Sequence, residues 1–232
     1  MRLKYTLSVL AVFSAGCMLV GENHDMQKYP LDSLTGLQLM GVTGSAETFK
    51  GKAAVRIGNH TEDLSRIALV TGSHLRNGTI EVDLAAQPIK GADPSVRGFA
   101  GLIFRAATDD TVLGGFSRYE YFYLRATNGR STDPERSAHV VQYASFPNYP
   151  WERLRSEAPG RYEAHSADVD VAVWTHMTIQ VHDRMAKFFI GSAKEPCLVV
   201  HDLKQDPADG SVGLWLGPQS EAWFANLVVK PE

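Results

Sequence analysis

From Leu34 onward the sequence predicts an all-β protein, a sandwich of two antiparallel sheets. Apolar and polar residues alternate in short runs broken by Gly, Pro, Asn and Asp. No window repeats apolar residues at the spacing of an amphipathic helix. At 232 residues and 44% hydrophobic content, the chain is large enough to bury one core, and a sandwich of this size is commonly one domain.

In chain order the strand signal falls on residues 53–57, 66–70, 78–85, 98–105, 119–125, 138–143, 174–182, 186–190, 198–202, 211–216 and 222–229. These exceed one sheet of ordinary size, so two sheets must share them. In 79–84 the apolar Ile80, Val82 and Leu84 face one way, and Thr79, Glu81 and Asp83 face the other. Phe104, Trp215 and Phe224 are expected in the core. Residues 145–160 form the longest stretch without strand signal, and the aromatic residues there argue for a working loop.

The N-terminus reads as an export signal. Arg2 and Lys4 precede an apolar run over 6–15 that is too short to span a bilayer. Residues 1–21 are therefore a signal peptide, 22–33 a tether and 34–232 the sandwich domain. Ser14-Ala15-Gly16-Cys17 is similar to the acylation box of bacterial lipoproteins, although Ser14 stands where that box has a large aliphatic residue. Two outcomes follow: simple cleavage nearby, or lipidation of Cys17 and membrane attachment. Both place the mature chain outside the cytoplasm, in the periplasm or anchored at the cell envelope. The other cysteine, Cys197, is expected to be a packing residue. A net charge of −3 with no basic run argues against a nucleic-acid partner.

The segments 119–125, 141–143, 174–179, 186–190, 210–215 and 222–227, with 77–82 and 97–105 before them, carry a family resemblance. In order and sequence they resemble concanavalin A-like jelly rolls of the laminin-G-like type. Within these they are similar to exported bacterial domains grouped with 3-keto-disaccharide hydrolases. The resemblance spans roughly residues 35–230. It implies a jelly-roll sandwich with a carbohydrate ligand, and as an alternative a hydrolase or lyase acting on 3-keto-glycosides. A non-catalytic interaction module at the cell surface is a further alternative, since one fold hosts many functions.

Glycosidases of this fold place paired carboxylates on one strand, about 5 Å apart for a retaining mechanism. Glu81 and Asp83 have the first part of that spacing, but Ala85 and Ala86 stand where the second acid is needed. The expectation for this pair is a solvated outer face. His176 and His182 lie about 20 Å apart by strand rise, too far to share a metal. No cofactor is expected. Calcium is conceivable at Asp109-Asp110 or at Asp206 and Asp209, where acidic turn residues are the plainer reading.

The constellation that suits a sugar lies between Arg97 and Trp151. Alternation puts Tyr119, Tyr121, Tyr123 and Arg125 on one strand face, with Arg105 closing the preceding strand and Gln142 displayed by the next. Tyr149 and Trp151 sit in the long loop. Aromatic faces stack on sugar rings, and Arg and Gln supply paired donors for hydroxyls. With the opposite parity Glu120 points into the same groove, between Arg105 and Arg125, as a general acid or base. Elimination from a 3-keto sugar needs one base, for which Glu120, His139 and Glu81 all remain candidates.

Overall fold

The computed structural model describes residues 26–58 and 66–232. The segment expected to be an export signal, Cys17 included, lies outside the described residues. Among them, fifteen strands form two antiparallel sheets. One sheet runs β13 (Leu198–Val200), β12 (Met185–Ile190), β11 (Thr175–His182), β6 (Gly78–Pro88), β15 (Ser220–Pro231), β4 (Lys52–Gly58) and β3 (Thr43–Phe49), with β1 (Gln27–Tyr29) also on β15. The other runs β10 (Glu163–Ala164), β9 (Val141–Phe146), β8 (Phe116–Arg125), β7 (Phe99–Thr108), β14 (Ser211–Leu216), β5 (Ile67–Val70) and β2 (Leu37–Met40). Each segment with strand signal lies at least partly in one of these strands.

The inner faces meet as their alternation requires. Ile80, Val82 and Leu84 from β6 and Ala100, Leu102 and Phe104 from β7 are fully buried in one cluster, with Phe122, Phe188 and Phe224. The ring centroids of Phe104 and Phe188 lie 6.1 Å and 5.1 Å from that of Phe122, in near-parallel planes. Cys197 packs against this core, its Sγ 3.3 Å from the Phe188 carbonyl oxygen, and burial pushes its thiol up to about 11.

Four strands carry no clear sequence signal. One of them, β1, lies inside the segment read as a tether. Its register, Gln27 to Val229 through Tyr29 to Leu227, occupies the edge of β15 beyond the point where β4 stops at Phe224. A bulge between Ala225 and Val228 separates the two stretches, so β1 satisfies backbone groups that β4 leaves open. Leu31, next along the chain, is buried in the core.

Residues 138–140, expected as strand, instead finish the short helix α1 (Pro134–Ala138) and its exit. Asp133 caps it, its carboxylate accepting the Glu135 amide at 2.9 Å, and Pro134 opens it. The long loop contains a second helix, α2 (Trp151–Glu157). Trp215 is not in the inter-sheet core: Val212, Leu214 and Leu216 of β14 fill it, which turns Trp215 to the outer face.

Phe224→Ala should destabilise the fold by about 3–5 kcal/mol, the usual cost of emptying a buried aromatic site. Trp215→Ala, outside that cluster, should cost less. Urea unfolding of both variants checks the order, and a near-neutral Phe224→Ala would show the core is misplaced.

Candidate functional site

A cleft of about 800 Å³ lies on the outer face of the seven-stranded sheet, within the usual size of small-molecule sites. The alternation of β8 builds its floor. Phe122 and Leu124 enter the core, so Tyr121, Tyr123 and Arg125 face outward. Gly101 stands between Tyr123 of β8 and Trp215 of β14 in the cross-strand row. A Cβ there would lie 2.0 Å from the Phe122 carbonyl oxygen and 2.7 Å from the Tyr123 Cβ. Without one, the strands close up, and the Tyr123 and Trp215 rings meet at 4.9 Å. Tyr121 adds a ring 5.2 Å from Trp215, and Phe99 sets its edge 6.2 Å from Tyr123. Burial pushes the Tyr123 hydroxyl up to about 12, so it stays protonated and donates or accepts as a neutral group.

Loops supply the polar wall. Helix α2 brings Trp151 and Arg155, and α1 and its exit bring Arg136 and His139. Arg97 enters from the loop before β7. Behind this wall Glu163 of β10 is almost fully buried and takes a two-pronged contact from Arg155, at 3.0 Å from Nε and 2.6 Å from Nη2. The same carboxylate lies 2.9 Å from His139 Nδ1, although off the line of a hydrogen bond. Burial holds the His139 imidazole below its ordinary pKa, with Glu163 pulling the other way, so the ring is neutral at pH 7. A neutral imidazole beside a carboxylate in a cleft is chemically a competent base.

Of the residues expected at the site, Tyr121, Tyr123, Arg125 and Trp151 meet in the cleft. Tyr119 continues the stripe but is buried against Phe146, ring centroids 4.9 Å apart, past the cleft's end. Gln142 is fully buried beneath Arg125, accepting its Nη2 at 3.2 Å and donating to the Tyr143 and Tyr162 carbonyls. It positions the arginine and does not reach the cleft.

Three expected residues lie elsewhere. Arg105 has φ 52° in a bulge where the β7–β8 register shifts, so the two-residue period breaks and its side chain turns inward. It is 1% exposed and donates to the Arg76 carbonyl and Asn77 Oδ1. Tyr149 lies under Arg153 and Lys204, and its backbone bridges Ser145 outside the cleft. Glu120 is fully buried on the core side of β8, opposite Arg125. It accepts the Tyr143 hydroxyl at 2.5 Å and the Gln205 amide at 2.8 Å. Burial raises its pKa, partly offset by these donors, and it has no opening to the tyrosine stripe.

On the outer face of the other sheet Glu81, partly exposed, pairs with Lys230 at 2.8 Å, and Asp83, largely covered, pairs with Lys52 at 2.6 Å and accepts from Asn226 at 2.9 Å. Of the three candidate bases, His139 alone lines the cleft. Among the described residues no three His, Cys, Asp or Glu side chains are grouped to hold a metal, and Asp109 is occupied capping its own turn through Thr111. Phe99 and Trp215 went unassigned to the site, though the alternation in 98–105 and 211–216 puts both opposite the core residues. Arg97 comes from a loop and Arg136 from the five-residue helix α1, and neither carries a local signal.

No protein-family model matches this sequence, and no curated protein is similar to it. Solved structures are. The chain is similar to the carbohydrate-binding module CBM66 from Bacillus subtilis, with 16% identity and a TM-score of 0.51 over 83% of this chain and 98% of that one. It is also similar to a protein of unknown function with a galectin-like fold from Bacillus subtilis, with 16% identity and a TM-score of 0.57 over 88% of this chain and 94% of that one. These likenesses and the two antiparallel sheets identify the fold as a concanavalin A-like jelly-roll sandwich.

The buried Glu120 generates a pH dependence whose sign is fixed. Its folded pKa is raised, so its contribution to stability is present below the unfolded value near 4.3 and is lost as pH rises through the folded value. Urea unfolding from about pH 5 to about pH 8 should therefore show the parent losing stability relative to Glu120→Gln. Parallel curves for the two proteins would sink this account.

Proposed function

We propose that the cleft binds a carbohydrate and that the chain acts as an exported sugar-binding domain. One observation carries this reading: Tyr121 and Trp215 form a continuous aromatic surface, backed by the buried Tyr123 ring and walled by donors from Arg125, Arg97 and Arg155. An apolar surface of this kind takes the C–H face of a pyranose ring, and fixed planar donors sort hydroxyls by direction. The jelly-roll fold supports the reading at its own level, since one structural neighbour is a carbohydrate-binding module. The export segment supports a location at the cell envelope, with Cys17 either removed or lipidated.

A second reading is favoured by a separate observation, the His139–Glu163 pair on the cleft wall. It makes the protein a lyase or hydrolase of 3-keto-glycosides. His139 would take the proton from C2, beside the C3 ketone. That electron pair forms the C1–C2 double bond as the glycosidic C1–O bond breaks, and the leaving oxygen takes up a proton. Arg155 and Glu163 would hold the imidazole in place. This chemistry asks for one base, so it is indifferent to the alanines at positions 85 and 86.

Calorimetry against an oligosaccharide panel that includes 3-keto-disaccharides tests the first reading. Trp215→Ala and Tyr121→Ala should each weaken the best ligand by about tenfold or more, since stacking is worth roughly 0.5–1.5 kcal/mol beyond buried area. Unchanged binding in both variants would remove the platform from the site. For the second reading, His139→Gln should abolish turnover of 3-keto-disaccharides and spare their binding. Turnover at the parent rate would exclude His139 as the base.

A further inference from the structure

Arg125 is a buried cation with no counterion among the described residues. It is 5% exposed, and its three hydrogen bonds all go to neutral oxygens: the Tyr123 hydroxyl at 3.0 Å, Gln142 Oε1 at 3.2 Å and the His139 carbonyl at 3.2 Å. Rings of Tyr123, Trp151 and Phe99 surround its guanidinium carbon at 5.1, 5.8 and 6.0 Å. Among the described residues no carboxylate forms an ion pair with it; the nearby Glu163 is taken by Arg155 at 2.6 Å. Leaving a desolvated charge unpaired is costly.

Two more guanidiniums, both half-buried, line the cleft and form no ion pair among the described residues. Arg97 donates to the Pro94 and Val96 carbonyls, and Arg136 to Thr127 and Asn128. Burial lowers the Arg97 pKa, and the charges of Arg136 and Arg125 lower it further. The rim does hold three acids, Asp93, Asp133 and Glu135, but Asp133 accepts the amides of its own helix, Asp93 accepts the Ser95 amide, and all three are exposed to water that screens them. The inner part of the cleft is thus positive and unneutralised.

We infer that the ligand is an acidic glycan, with a uronic acid carboxylate seated on Arg125 between Arg97 and Arg136 and the sugar ring against Tyr121 and Trp215. A carboxylate supplies the charged acceptor that these guanidiniums lack, and the charge-assisted bonds it accepts are stronger than those a hydroxyl can make. The inference rests on the sugar-binding reading and narrows it to a substrate class.

Calorimetry on the purified chain tests it with tetramers of galacturonate, glucuronate and mannuronate, each beside the same tetramer reduced at its carboxyls. At least one uronate should bind about tenfold or more tightly than its reduced form, and the gap should shrink between 50 and 500 mM sodium chloride. Arg125→Met should close the gap, costing the uronate about tenfold more affinity than it costs the reduced form. Should that variant not fold, as judged by circular dichroism, Arg97→Gln and Arg136→Gln on the half-exposed rim take its place, each narrowing the gap. Reduced tetramers that bind as well as the uronates overturn the acidic ligand and leave the sugar cleft standing. Failure of both forms to bind overturns the cleft reading and this inference together.

Discussion

The two-residue period of β8 is the constraint from which the cleft follows. Its apolar partners must enter the inter-sheet core, where Phe122 stacks between Phe104 and Phe188. A one-residue slip would exchange the whole set, so the core locks the register and thereby commits Tyr121, Tyr123 and Arg125 to the outer face. Gly101 completes the effect by removing the side chain that would part Tyr123 from Trp215. Core packing on one side of the sheet holds a rigid aromatic surface on the other.

The same strand separates two polar systems that a linear reading puts side by side. On the core side, Glu120, Tyr143 and the Gln205 amide form a sealed network that also takes the Lys204 amide onto the Tyr143 hydroxyl. On the cleft side, Arg125, Gln142, His139, Glu163 and Arg155 are linked through β9 and β10. In a low dielectric a satisfied network of this kind is rigid and a broken one is expensive. The sealed carboxylate therefore tunes stability with pH, and the open set is placed to meet a ligand.

The walls of the cleft depend on short elements with little intrinsic helical tendency. Helices of five and seven residues have too few turns to stand alone, and both are held by what they touch. Asp133 fixes the first, and Leu154, fully buried, anchors the second in the core. That is how Arg136, His139, Trp151 and Arg155 come to face the same volume from positions spread over twenty residues on both sides of β9.

Period and composition alone determined the sandwich and the eleven strand segments at least in part, and they set Tyr121, Tyr123 and Arg125 together on one face, because strand parity is a local property; which of the two faces lines the cleft they left open. The outer-face places of Glu81 and Asp83, opposite Ile80, Val82 and Leu84, were legible for the same reason. Parity held the place of Trp215 as well, since Val212, Leu214 and Leu216 fix its opposite direction, although its size suggested the core. Only the tertiary structure decided the rest. The bulge at Arg105 breaks the period through a backbone twist that no local pattern marks, which sends that side chain away from the cleft. Strand β1 exists because β15 has an open edge, a fact about a partner two hundred residues distant. Glu120 is excluded and His139 included because sheet pairing and loop closure, acting between segments far apart in sequence, settle which side of the sheet is sealed and which is open.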